Sequence, residues 1–169
     1  MPPNTEQLIE ELRQEFDVKI REHEHDGNIA TQVKTHDIFG RTQELNTEAQ
    51  TIATTGNTDW YIIAPFSGLL FSVDFSATDA LSTSDTNYIT FTITNLGTDG
   101  SGTSVMLSSD DENTTKATGG SAISADTKRS LVVGSNRGIE EGDRLKIRAA
   151  TTGTLANTVT NSVYVLRFR

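Results

Sequence analysis

A change of hydrophobic period near residue 50 constrains this chain more than any other feature. From about Thr51 onward apolar and polar residues alternate, the period of a strand with one buried face. In YITFTIT, Ile89, Phe91 and Ile93 fall on one face, with Tyr88, Thr90, Thr92 and Thr94 on the other. In LLFSVDFS the same rule sets Leu69, Phe71, Val73 and Phe75 against Leu70, Ser72, Asp74 and Ser76. Leu145, Ile147 and Ala149 alternate with Arg144, Lys146 and Arg148, which gives that strand a wet face. WYIIA, SVML, RSLVVG and NSVYVLRFR add further short strands, and glycine- and asparagine-rich turns separate them. No helical period follows Gln50. The expectation is a mainly β protein whose residues 51–169 form an antiparallel sandwich or jelly roll of about eight strands.

Before that boundary the chain reads differently. Residues 1–22 fit one helix from Pro3 to Arg21: Asn4 or Thr5 caps it, Glu6 lies in its first turn, and Lys19 and Arg21 lie in its last. Ile9, Leu12, Phe16 and Ile20 form a narrow stripe of the kind found in a coiled-coil seam. A lone helix of this length is marginal in water. The stripe therefore packs either on the chain's own domain or on copies of itself, and its pattern alone does not choose. Residues 23–50 are polar and aperiodic, a linker or neck.

Charge and composition narrow the function. Fourteen basic against 23 acidic residues give a formal charge of −9 and a pI near 4.7, which opposes binding to a phosphate backbone. With no cysteine, any metal site must use histidine and carboxylate. The N-terminus has no apolar core of signal-peptide length, and no stretch suits a membrane span; the expectation is a protein made in the cytoplasm and soluble. G-x-S-x-G, H-E-x-x-H and P-loop motifs are absent from the sequence, so no enzymatic activity is expected.

Two of the three histidines stand one residue apart, in REHEHDGN. Residues i and i+2 diverge by about 200° on a helix but share a side of an extended chain, so His23 and His25 can act together only if the helix has ended. Two imidazoles are an incomplete ligand set; three chains around an axis would supply six, enough for an octahedral metal. The bland alternative is two solvated histidines in a polar segment. Asp26 with Gly27 is a turn dipeptide before it is a ligand. His36 has no partner at metal spacing, and Asp110, Asp111 and Glu112 in SSDDENTT lack the pattern of a calcium loop, so that stretch is expected to be a solvated loop.

HEHDGNIATQV resembles the H-x-H-D-G-x-x-S/T-x-x-V segment of structural proteins of tailed bacteriophages, in which H-x-H pairs of trimeric fibres and spikes bind iron on the threefold axis. Ala30 or Thr31 stands where the family often has its small polar residue, a modest departure. The stretches from Gly56 to Leu107 and from Gly138 to Phe168 are also similar to small jelly-roll modules of phage head-decoration and fibre proteins. The resemblance implies a homotrimer in the virion, with a coiled-coil helix and with His23 and His25 holding a metal on the axis, iron first and zinc or nickel as alternatives. Its partners would be its own copies and other capsid or tail proteins. With only a short neck, a capsid decoration protein or short head fibre ranks ahead of a tail fibre that recognises host surface carbohydrate. Trp60 and the three tyrosines fall mostly within strands rather than loops, which counts against a glycan site.

Overall fold

The structure is a computed structural model, and it describes residues 42–108 and 111–169. These form a unit spanning Thr42–Arg169. The helix and coiled coil expected in residues 1–22 lie outside the described residues.

Among the described residues ten strands follow in order: β1 (Gln43–Asn46), β2 (Gln50–Ile52), β3 (Gly56–Ile63), β4 (Gly68–Ser76), β5 (Tyr88–Asn95), β6 (Ser104–Val105), β7 (Arg129–Leu131), β8 (Gly138–Ile139), β9 (Arg144–Thr152) and β10 (Val159–Phe168). They make two sheets, one ordered β1-β10-β4-β7 with β2 on β10 and β8 on β4, the other ordered β3-β9-β5-β6. Every pairing between them is antiparallel. The chain passes repeatedly from one layer to the other, which is jelly-roll connectivity.

The alternation read from the sequence places the core. Ile89, Phe91, Ile93, Leu145, Ile147 and Ala149 are all buried, on the inner face of the second sheet. Opposite them lie Val73, Phe75, Tyr164 and Leu166 of the first sheet. The layers are joined by aromatic contacts. Trp60 meets Tyr164 edge-on with centroids 4.9 Å apart, and Phe75 lies 4.9 Å from Phe91 across the layers; within the first sheet Phe75 also lies 5.1 Å from its cross-strand neighbour Tyr164. Such pairs add about 0.5–1.5 kcal/mol each beyond their area burial.

Three sequence expectations are corrected. First, β1 and the start of β2 lie within the stretch 23–50 assigned to the neck. Glu44, Leu45 and Asn46 pair with Arg167, Leu166 and Val165, so the sheet begins ahead of residue 51. Four residues are too few to display a period of their own. Second, Leu69, Phe71, Val73 and Phe75 do not share one face. The β4–β10 register steps from Ser72↔Arg167 to Leu70↔Phe168, which leaves Phe71 as an extra residue in a bulge. Leu70 therefore points inward with Val73, and Leu69 is exposed. A similar slip between Val159 and Ser162 of β10 coincides with Asn161 in the left-handed region at φ 50°.

The third correction concerns the polar stretch SSDDENTT, expected to be a solvated loop. Asp111 and Glu112 are exposed, but Asn113, Thr114 and Thr115 are buried. They cover the part of β5 that the two-residue β6 leaves open. The Phe91 N–H donates to the Asn113 carbonyl at 2.8 Å, the Thr115 N–H to the Ile89 carbonyl at 2.8 Å, and the Ile89 N–H to Thr115 Oγ1 at 2.8 Å. The Asn113 side chain also spans to β7's continuation, accepting from the Val132 N–H at 2.7 Å and donating to the Val132 carbonyl at 3.0 Å. These side chains are polar because they stand in for ladder hydrogen bonds at a sheet edge.

Candidate functional site

The residues singled out for chemistry, His23 and His25 with Asp26, Gly27 and His36, all lie outside the described residues. Among the described residues no group of three or more His, Cys, Asp or Glu side chains could hold a metal ion. The site geometry that the structure does show is on the faces of the sandwich.

The outer face of the second sheet is the more unusual. Register places Asp59, Tyr61 and Ile63 of β3 beside Arg148, Lys146 and Arg144 of the central strand β9, and Thr92 and Thr94 of β5 follow in the same rows. Tyr61 is 50% exposed, Ile63 70% and Val105 45%, a concentration of large apolar side chains on one open sheet. Arg144 lies over the Tyr61 ring at 4.4 Å from its centroid, a cation–π stack. Asp59 accepts two hydrogen bonds from Arg148, at 2.6 and 2.7 Å, in fork geometry. That bonding holds the Asp59 carboxyl below its ordinary range against the opposing effect of burial, and it raises Arg148 correspondingly. Trp60, between Asp59 and Tyr61, turns inward and donates from Nε1 to the Glu48 carbonyl at 3.1 Å.

The sequence contained both halves of this surface. The alternation in WYII already opposes Tyr61 and Ile63 to Trp60, and Arg144, Lys146 and Arg148 were legible as a wet face. Missing was the pairing of β3 with β9, a contact between segments far apart in the chain.

The outer face of the first sheet is polar and cross-linked. Arg167 bonds Asp74 through Nη1 and Glu44 through Nε, the latter at 2.6 Å, while Ser130 donates to Asp74 at 2.8 Å and Lys128 stands 3.4 Å away. Burial alone would raise the Asp74 carboxyl, but the hydrogen bonds from Arg167, Ser130 and Lys128 outweigh it and hold it below its ordinary value. At one end of the sandwich a cleft of about 640 Å³ lies between Leu69, Gly138 and Ile139 on one side and Asn95 and Asp143 on the other. The polar groups of its floor are already committed: Asn95 donates to Asp143 at 2.6 Å, and the Glu140 N–H donates to the same carboxylate at 2.9 Å.

No helix of the described residues is long and apolar enough to cross a membrane. No family model matches the sequence, and no curated protein matches it. Among solved structures, the fold is similar to a chain of the cyanophage Pam1 capsid asymmetric unit, with TM-score 0.40 and 14% identity, over 75% of this chain and 85% of that one. A chain of infectious bursal disease virus, Gt strain, gives 0.35 and 12% over 75% of this chain. A CocE/NonD family hydrolase of Staphylococcus aureus gives 0.33 and 11% over 76%. The match spans about a third of the viral chain and of the hydrolase, 32% and 30%.

Proposed function

We propose that the chain is a homotrimeric structural protein of a phage virion, most directly a capsid decoration protein or short head fibre, without enzymatic activity. The observation that carries this reading is the pairing of an H-x-H-D-G segment with a domain whose strands run in jelly-roll order, β1-β10-β4-β7 against β3-β9-β5-β6. In this reading His23 and His25 of three chains clasp a metal on the threefold axis, iron before zinc or nickel, and the sandwich is carried as a module for contact with other virion proteins.

The second reading is a tail fibre that recognises host surface carbohydrate. It gains from Tyr61, which sits within a strand yet is half exposed, so strand placement did not exclude a sugar-stacking ring. It stays second because the Arg144 guanidinium already occupies one face of that ring.

Sedimentation of the full chain is expected to give a trimer. Elemental analysis is expected to find about one metal ion per three chains, lost on His23→Ala or His25→Ala. A monomer refutes the trimer, and metal retained by both variants refutes the clasp. Labelling the protein on intact particles separates capsid from tail, and robust hits on a glycan array would promote the second reading.

A further inference from the structure

We propose that the free edge of β3 is a strand-addition site, which takes an extended segment of a partner protein as a further strand of the β3-β9-β5-β6 sheet. β3 is the last strand on its side of that sheet, and its register on β9 runs unbroken from Gly56↔Thr151 to Ile63↔Arg144. One pair further on, the Ala64 N–H donates to the Asp143 carbonyl at 2.8 Å. Along an antiparallel strand, residues that bond a given neighbour alternate with residues that do not. Ile62, Trp60 and Thr58 therefore bond β9. Ile63, Tyr61, Asp59 and Asn57 turn their N–H and C=O groups the other way, where none has a partner among the described residues.

The domain's other edges are closed. On the far side of the same sheet, the Ile89, Phe91 and Ile93 backbone of β5 is met by Thr115, Asn113 and the Met106 N–H. At the edge of the first sheet, β7's continuation receives the Ser108 N–H on the Val132 carbonyl at 2.9 Å and gives the Gly134 N–H to the Met106 carbonyl at 2.8 Å. β1 offers only four residues. β3 has eight, and it lacks the usual devices that blunt an edge: GNTDWYII contains no proline, no lysine and no bulge. Its one charged side chain, Asp59, is held by Arg148.

The chemistry of the edge names its occupant. Donors and acceptors that recur at every second residue, about 6.8 Å apart, are matched by another extended backbone. Beside them a groove of about 300 Å³ runs between β3 and the β1–β2 connection, bounded by Thr47, Glu48, Gln50, Trp60 and Ile62 among others. An added strand sends alternate side chains to opposite sides. One set lies beside Tyr61 and Ile63, which are exposed, and is apolar. The other set faces the groove and is short, with one lysine or arginine for Glu48, an exposed carboxylate with no cation partner among the described residues. A second copy fits less well. Trp60 ties the β1–β2 connection to this edge through the Glu48 carbonyl, so a two-fold axis at β3 would set Glu44 and Glu48 toward the same residues of the mate.

The probe is a labelled octapeptide, VSVKVSVS, titrated with the full chain and followed by fluorescence anisotropy and amide hydrogen exchange. Its binding is expected at sub-millimolar concentration and should slow exchange at Asn57, Asp59, Tyr61 and Ile63 about tenfold or more. Methylating the valine nitrogens keeps the charge and removes the donors, and should abolish binding. Exchanging the lysine for glutamate should weaken it about tenfold. Tyr61→Pro deletes an N–H outside the ladder, which an edge strand tolerates, and should cost about tenfold in affinity; Tyr61→Thr keeps the backbone and should cost about threefold or less. Circular dichroism checks that both variants are folded. Slow exchange at the four amides before any peptide is added overturns an open edge. Failure of the octapeptide to bind, or binding indifferent to methylation and to Tyr61→Pro, overturns strand addition. Equal binding of the glutamate peptide overturns the basic residue opposite Glu48. Association of the chain with itself that Tyr61→Pro abolishes overturns the partner segment in favour of a second copy. None of these outcomes depends on the trimer or the metal.

Discussion

Replacing Tyr164 by phenylalanine should stabilise the β domain. The Tyr164 ring lies at the centre of the core, with Trp60, Phe75 and Phe91 around it at 4.9, 5.1 and 6.3 Å, and its hydroxyl is buried without a hydrogen-bond partner among the described residues. A buried polar group left unsatisfied costs about 1–3 kcal/mol in lost hydration. Removing the oxygen opens a void of roughly 10 Å³, which at about 24 cal/mol per Å³ costs roughly 0.2 kcal/mol, and forfeits a few dispersion contacts of about 0.1–0.2 kcal/mol each. The gain exceeds the loss, and a net stabilisation of about 1 kcal/mol is expected. For a unit the size of Thr42–Arg169 that is a rise in Tm of about 3–6 °C. Denaturant unfolding of both proteins gives the difference directly, and its pH dependence gives a second check. Burial pushes the Tyr164 phenol well above its ordinary value of 10.0, with Arg129 opposing weakly. The unfolded chain loses that proton near pH 10 while the folded chain keeps it, so wild-type stability falls as pH rises past 10, by up to about 1.4 kcal/mol per unit. Tyr164→Phe lacks this loss, and its advantage should widen above pH 10. Destabilisation by more than about 0.5 kcal/mol, with a gap that ignores pH, would refute the argument and mean that the hydroxyl is bonded in solution.

Asn113→Ala should cost about 1–2 kcal/mol, because it takes away the acceptor of the Val132 N–H and the amide that donates to Ser108 Oγ, while the Val132 carbonyl keeps the Ser108 N–H; calorimetry on the full chain measures it, and a loss below about 0.5 kcal/mol would mean the loop is not part of the sheet. For Asp74 the sign follows from its lowered carboxyl. Its contribution is present above the unfolded value near 3.8 and is lost as pH falls through the folded one. Asp74→Asn should therefore destabilise by about 1–2 kcal/mol at pH 7, and the gap should close in an acid titration of stability between about pH 4 and 2. A gap that persists at pH 2 would place the effect in packing rather than charge.

The parts of the fold legible in the sequence are those where period and burial coincide over a whole strand. β5 and β9 show it best: six alternate apolar residues are the six that the sheet buries. In β4 the period was present but its phase was not, because the bulge at Phe71 depends on the partner strand and has no local signature. β1 was illegible for the opposite reason: Gln43–Asn46 has only Leu45 as an apolar anchor, and its place in the sheet comes from β10. Asn113, Thr114 and Thr115 show a third limit. Composition marked them as solvent-facing, whereas their polarity serves hydrogen bonding inside the protein.

The same limit decides how the candidate surface had to be found. Tyr61 and Arg144 are far apart in sequence, and each alone is an ordinary exposed residue of a half-buried strand. What makes them a surface is the β3–β9 register, which sets Ile62 and Leu145 together on the inner side and Ile63 and Arg144 together on the outer one. A one-residue slip of β3 on β9 would turn Trp60 out of the core, and the Trp60–Tyr164 contact between layers holds against that slip. The core thus fixes the composition of the surface. The residues that hold the two sheets together also keep Tyr61, Ile63, Arg144 and Lys146 in adjacent rows on the outer face.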